Sequence, residues 1–299
     1  MKVAKVKTGS IVGIDAVPVT VEVTIEKRGF GKFEIVGLPS KEIDESKVRI
    51  RSAIINCGLE FPPYKIFVNL APANIKKIGS MYDLPIAVGI LKAADYIDKD
   101  LKDKMFMGEL SLDGKIRSVF GTSVVATLYK RFKFNKIYLP TKNKNETYFV
   151  KEKIQTFPTK SLNQLLDYFL GIKEIPMHKH KNLENTDYSE ILIEDIKDQQ
   201  HAKRAAVICA SGGHNLSLAG PPGTGKSMLA KSLVSILPKL KQQEAEEVIK
   251  IQSVIGNNIT NIFSRPFRSP HQTISRVGLI GGGSNIKPGE ITIAHNGVL

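Results

Sequence analysis

The chain has 299 residues, with 43 Lys and Arg against 29 Asp and Glu, a formal charge of +14 and an isoelectric point near 9.6. That length holds about two domains of roughly 100 to 200 residues each, and a composition of 42% hydrophobic and 24% charged residues excludes a mainly disordered or fibrous chain. No run of about 18 apolar residues occurs, and the start MKVAKVKTGSIVGID has no apolar stretch after its lysines. Neither a membrane span nor a secretory signal is therefore predicted, and a soluble cytoplasmic protein with no membrane partner is expected. Cys57 and Cys209 fall in predicted helices far apart in sequence and read as small buried hydrophobes of a reducing compartment.

The predicted elements begin with Val17, Val19, Val21, Val23 and Ile25, which alternate with polar residues and mark a strand with one buried face. A turn at Gly29 to Gly31 leads to a return strand over Phe33 to Val36. A helix follows, opened by Ser40 and closed by Gly58, with Ile43, Ile50 and Ile54 on one stripe. Lys65 to Leu70 is an apolar strand stopped by Pro72. Asp83, two residues before Pro85, is placed to cap the helix IAVGILKAADYI. Asp113-Gly114 between alternating strands predicts a tight hairpin. A helix near Ser123 to Tyr129, a strand at Lys136 to Leu139 and a helix from Ser161 to Leu170 complete a first domain over 1–170.

Residues 171–190 are polar, lack periodicity and read as a linker. His178 and His180 within it have no spaced Cys or carboxylate to make a metal site, so they read as solvated. A second α/β domain is expected over 191–299, starting with the helix DQQHAKRAAVICASGG.

In that second domain an apolar strand, Asn215 to Ala219, runs into Gly220, Pro221, Pro222, Gly223, Thr224, Gly225, Lys226 and Ser227, and then into a helix beginning at Met228. This is the phosphate-loop pattern in a strand-loop-helix setting. Glycines let the backbone close on phosphate oxygens, and N–H groups at a helix N-terminus add positive potential. Lys226 is expected on the β and γ phosphates of ATP and Ser227 in the shell of Mg²⁺. Hydrolysis also needs an acid at the end of a neighbouring strand. After Ser227 there is no aspartate, and the glutamates Glu244, Glu246, Glu247 and Glu290 do not end an apolar strand. The chain is therefore expected to be an ATPase truncated before the Walker B strand.

The segments AKRAAVICASGGHNLSLAGPPGTGKSMLA, RPFRSPHQTIS, LIGGGSNIKPGEI and AHNGVL closely resemble the magnesium-chelatase-like AAA+ ATPases of the ComM/YifB competence group. GLPSKEIDESKVRIRSAI, FVNLAPANIKKIGSMYDLPIAVGIL and GELSLDGKIRSVFG resemble that group's first domain. The resemblance implies a Lon-protease/ribosomal S5-like α/β domain followed by the first part of a P-loop AAA+ α/β domain. It also implies a strand from HNGVL into an Asp-Glu metal site, a homo-hexameric ring, and a motor for branch migration, recombination or competence on DNA. Two positions depart from the pattern: Asp198 stands for a usual glycine near the adenine-contacting segment, and Gln272 for a histidine after Pro270.

The Lon-like resemblance raises proteolysis through a Ser/Lys dyad, which needs a lysine beside the serine. In register, the dyad positions fall near Asp83-Leu84 and Asn135, where no nucleophile or base stands, so only an off-register pair of Ser80 and Lys136 remains. For the DNA reading, Arg265, Arg268, Arg276 and Lys287 flank Gly281-Gly282-Gly283 and are expected to contact phosphates, without aromatics for base stacking. A nucleotide-binding remnant that does not hydrolyse ATP is the remaining alternative.

Overall fold

In the computed structural model the described residues are 3–27, 31–180, 191–257, 262–283 and 286–299. The chain divides into two compact units, Met1–Lys181 with Ser253–Asn257, and Asn182–Gln252 with Asn258–Leu299.

Unit 1 is built on β1 (Val3–Val12), β2 (Asp15–Glu26), β3 (Lys32–Val36), α1 (Lys41–Asn56), β4 (Lys65–Ala71), α2 (Asp83–Ala93) and β5 (Lys104–Phe106). These are followed by β6 (Glu109–Leu110), β7 (Ile116–Arg117), α3 (Thr122–Ala126), α4 (Tyr129–Phe132), β8 (Lys136–Pro140), β9 (Gln155–Thr159) and α5 (Leu162–Phe169). Seven strands form one sheet in the order β3-β4-β2-β1-β5-β8-β9. Its pairs are parallel except β1 with β2 and β2 with β4. This is a mixed, mostly parallel α/β sheet, as the Lon-like fold class implies.

Most predicted elements form where the pattern put them. In α1, Ile43, Ile50 and Ile54 are fully buried, and Ser161 caps α5 by accepting from Gln164 N at 3.1 Å. Asp113 and Gly114 turn β6 into β7, with Gly114 at φ +79°, where a side chain would be strained. The apolar run of α2 is buried from Asp83 through Leu91. It lies against β1 and β2, so closely at Gly89 that a Cβ there would stand 2.5 Å from Val23 Cγ2.

Three strand expectations change. β1 lies outside the predicted elements although its pattern carries the signal, with Ala4 and Val6 buried and Lys5 exposed. Its lysines mask the alternation in composition. β3 is not the hairpin return of β2: it runs parallel to β4, which itself separates it from β2. The predicted turn before it falls mostly on residues outside those described. β9 also lies outside the predicted elements; it completes the sheet by pairing with β8.

Residues 171–180 pack on unit 1 instead of acting as a free linker. Ile175 is buried in its core, and His178 N donates to Thr156 O at 2.8 Å. His180 Nε2 lies 3.1 Å from Thr147 Oγ1, and burial, with His178 and Lys151 nearby, pushes its pKa down to about 4. The rest of the expected linker, 181–190, lies outside the described residues.

Unit 2 contains α6 (Gln200–Gly212), α7 (Lys226–Ile236), α8 (Gln242–Ile255) as far as Gln252, α9 (Arg276–Ile280), β10 (Gly281–Gly282), β11 (Lys287–Pro288) and α10 (Glu290–Ile293). Its small core joins Ile196, Ala206, Leu229 and Leu233, with Leu216, Leu218 and Val298 packed against it. The strand expected over Asn215 to Ala219 makes no ladder among the described residues. An extended apolar segment becomes a strand only when a neighbour takes up its N–H and C=O groups. Among the described residues no helix is long and apolar enough to cross a membrane.

Candidate functional site

The phosphate loop enters α7 through Gly225 at φ +82°, after Gly223 at φ +83°. Both lie in the left-handed region that glycine adopts without a steric penalty, and a Cβ built on either would meet nothing within 4 Å. Space is therefore open on the Cβ side of both glycines. At the head of α7 the first intrahelical bond is Leu229 N to Gly225 O, 2.9 Å, so the N–H groups of the first helical turn are left without helical partners.

Lys226, the first residue of α7, folds back over the loop. Its Nζ donates to Gly220 O at 2.9 Å, to Pro221 O at 2.7 Å and to Thr224 Oγ1 at 3.4 Å. Thr224 Oγ1 in turn donates to Pro221 O at 3.0 Å. Ser227 and Met228 are exposed beside it. An ammonium, a hydroxyl and a turn of free N–H groups form a donor set that fits a polyphosphate. Ser227 is the residue that would hold Mg²⁺.

The carboxylates after the loop are committed elsewhere. Glu244 accepts from Lys241 N at 2.8 Å, Glu246 pairs with Lys250 at 2.7 Å, and Glu247 lies 3.0 Å from His295 Nε2 and 3.1 Å from Asn296 Nδ2. Glu290 holds Arg268 through two bonds of 2.5 and 2.6 Å. Among the described residues no group of three or more potential metal ligands occurs.

The cation cluster is also partly consumed. Arg265 donates to Pro238 O at 2.5 Å and to Asn296 O at 2.6 Å, and Arg268 forms the bidentate pair with Glu290. Arg276 and Lys287 stay exposed. The glycines there, in a stretch that reads as loop or hairpin, begin a short antiparallel ribbon, with β10 paired to β11.

Asp198, at the usual glycine position, adopts φ +54° and Gln199 φ +59°. Glycine suits that conformation better than aspartate does, a constraint that residue type alone does not reveal. α6 accordingly begins at Gln200, two residues later than the apolar pattern suggests.

In unit 1 the off-register dyad is not assembled. Ser80 Oγ donates to Glu109, and Met81 O accepts from Gly108 N, beyond the C-terminal end of β5. Lys136 pairs with Lys104 at the opposite end of that strand and faces Asp103 at 3.4 Å. Asp83 does not cap α2 through its side chain. Its carboxylate, 1% exposed, accepts from Arg49 Nε at 2.7 Å and Leu110 N at 3.1 Å. Burial pushes its pKa up to about 6 against the pull of Arg49. This buried pair escaped the sequence because Arg49 is 34 residues away.

A family model described as magnesium chelatase, subunit ChlI, matches residues 192–299. A second, described as subunit ChlI of Mg-chelatase, matches 21–143. The competence protein ComM of Haemophilus influenzae is 39% identical over 306 aligned residues, taking in 100% of this chain and 60% of ComM. The chain belongs to the magnesium-chelatase-like ComM/YifB family. YifB of Salmonella typhimurium is 40% identical over 302 residues, again across 100% of this chain and 59% of that protein. The chain thus spans about 60% of the length of these curated ComM/YifB relatives.

Proposed function

We propose that this chain binds ATP with Mg²⁺ through Gly220 to Met228, as the nucleotide-binding part of a cytoplasmic AAA+ motor that acts on DNA as a homo-hexameric ring. The observation that carries the nucleotide reading is Lys226 at the head of α7, folded over a loop whose Gly223 and Gly225 hold left-handed backbone with nothing where a Cβ would stand. When phosphate enters, the ammonium exchanges the carbonyls of Gly220 and Pro221 for phosphate oxygens, and the free N–H groups of α7 complete the cradle. A bound Mg²⁺ would neutralise charge on the phosphates, with Ser227 as its ligand from this chain. DNA as the substrate rests on the family and on the competence role named for ComM.

The chain on its own is expected to bind nucleotide and turn it over slowly, since the glutamates after the loop are held by Lys241, Lys250, His295 and Arg268. Titration with a fluorescent ATP analogue and Mg²⁺ tests the reading. Saturable binding that weakens at least about tenfold in Lys226→Ala supports it, and equal binding by the variant sinks it.

A further inference from the structure

The positive charge is not where the phosphate loop is. Unit 1 carries 31 Lys and Arg against 19 Asp and Glu, whereas unit 2 carries 12 against 10. Within unit 1 much of the excess gathers at one end of the sheet. Strands β5, β8 and β9 are adjacent and parallel, so the segments that lead into them emerge on the same side. Backbone bonds tie the three together: Asn135 N and Lys136 N donate to Asp103 O at 3.1 Å, and Gln155 N donates to Asn135 O at 2.7 Å. Lys7 reaches in from β1 and donates to Phe132 O at 2.6 Å.

Over 98–104, 130–136 and 151–153 these segments hold nine Lys and Arg against four carboxylates. Asp103 engages Lys104 at 2.5 Å and Lys136 at 3.4 Å. Lys102, Lys130, Arg131, Lys133 and Lys153 are exposed, and none has an ion-pair partner among the described residues. The same segments expose no large apolar side chain. A rim of unpaired cations on backbone-braced loops, without apolar anchors, matches a phosphodiester backbone better than a bilayer, where insertion of apolar groups adds affinity.

We propose that this rim of unit 1 grips the nucleic-acid phosphate backbone, with Lys102, Lys130, Arg131, Lys133 and Lys153 as its contacts. The proposal rests on the DNA reading and moves the grip from the Arg265–Lys287 segment of unit 2 to unit 1. Phosphate contacts carry no base information, so binding is independent of sequence and falls with salt.

The test uses the 299-residue chain and a fluorescent duplex, with anisotropy read over a salt series. The rim variant combines Lys130→Glu, Arg131→Glu and Lys133→Glu; the control combines Arg276→Glu and Lys287→Glu. The rim variant is expected to lose at least about tenfold in affinity and to flatten the log-log salt slope by roughly 0.9 per lost contact. Its circular dichroism melt and nucleotide binding should stay at wild type, since these side chains are exposed. Unchanged DNA binding in the rim variant, with loss in the control, overturns the proposal and leaves the DNA reading standing. No binding of DNA by the wild-type chain at low salt ends both. Tighter binding by the wild type to phosphatidylserine vesicles than to DNA, lost in the rim variant, overturns the nucleic-acid assignment in favour of a lipid surface.

Discussion

Unit 1 places its apolar side chains on a seven-stranded sheet and the helices against it, and its core runs unbroken from Ala4 to Ile175. Among the described residues the core around the phosphate loop in unit 2 joins Ile196, Ala206, Leu229 and Leu233, and elsewhere in that unit Val207, Ile208, Val277 and Ile291 are exposed. The difference separates two ways of fixing a structure. Unit 1 is specified by many long-range pairings and depends on side-chain volume, whereas the loop in unit 2 is specified by backbone geometry over eight residues and depends on glycine and one lysine. Stability should therefore concentrate in the first and nucleotide chemistry in the second.

The largest effect that tests this contrast is a cavity in unit 1. Ile90→Ala, at a fully buried position of α2, should cost about 2–5 kcal/mol in denaturant unfolding. Leu229→Ala in unit 2 should cost less and leave hydrogen exchange in the unit 1 sheet unchanged. Equal losses in both would show that the units share one cooperative core.

Lys226→Ala should have the opposite signature. Losing one charge-assisted contact is expected to remove about 1.5–3 kcal/mol of nucleotide affinity, at least about tenfold, with no change in the melting of unit 1. A lowered melting temperature in the absence of nucleotide would mean that Lys226 serves the loop's carbonyls as a structural clip.

The Asp83–Arg49 pair sharpens the picture of unit 1 by pH. Because the folded carboxyl sits near pKa 6, above its ordinary value of 3.8, its stabilising share is full below pH 3.8 and is lost as pH rises through about 6. From pH 5 to 7 the wild type should lose on the order of 1 kcal/mol that Asp83→Asn does not lose, read as the difference between their pH-stability curves. Parallel curves would remove Asp83 from the account.

Smaller still is Arg268→Ala, which breaks a partly exposed bidentate pair with Glu290. It should destabilise unit 2 by about 0.5–1 kcal/mol and leave the salt dependence of DNA binding as in the wild type. A flattened salt slope would return Arg268 to the phosphate-contacting set. Finally, Ser80→Ala should change nothing in a casein-cleavage assay, because the wild type itself should be silent. Cleavage lost on that substitution would restore the protease reading.

The elements that were legible in sequence share a property. The stripe of α1, the Asp113-Gly114 turn, the Ser161 cap and the phosphate loop are each decided by contacts among residues a few positions apart. For the loop, residue type, spacing and the following helix all lie within one segment, and the left-handed conformations at Gly223 and Gly225 follow from glycine having no Cβ. The linker reading gave way over 171–180 because Ile175 and His178 find their partners in β9 and the unit 1 core, which polarity alone does not reveal.

The sequence by itself thus determined a glycine-rich loop of the phosphate-binding pattern at Gly220 to Ser227, most of the helices and a basic chain. Tertiary structure alone decided that β3 pairs with β4, that Asp83 meets Arg49, that Arg265 and Arg268 are spent within unit 2, and that Lys133 and Lys153 belong to one rim. The physical reason is range: capping, turn strain and helical periodicity act along the chain and can be read from it. Strand order and the partner of each charge depend on which distant segments the fold brings into contact.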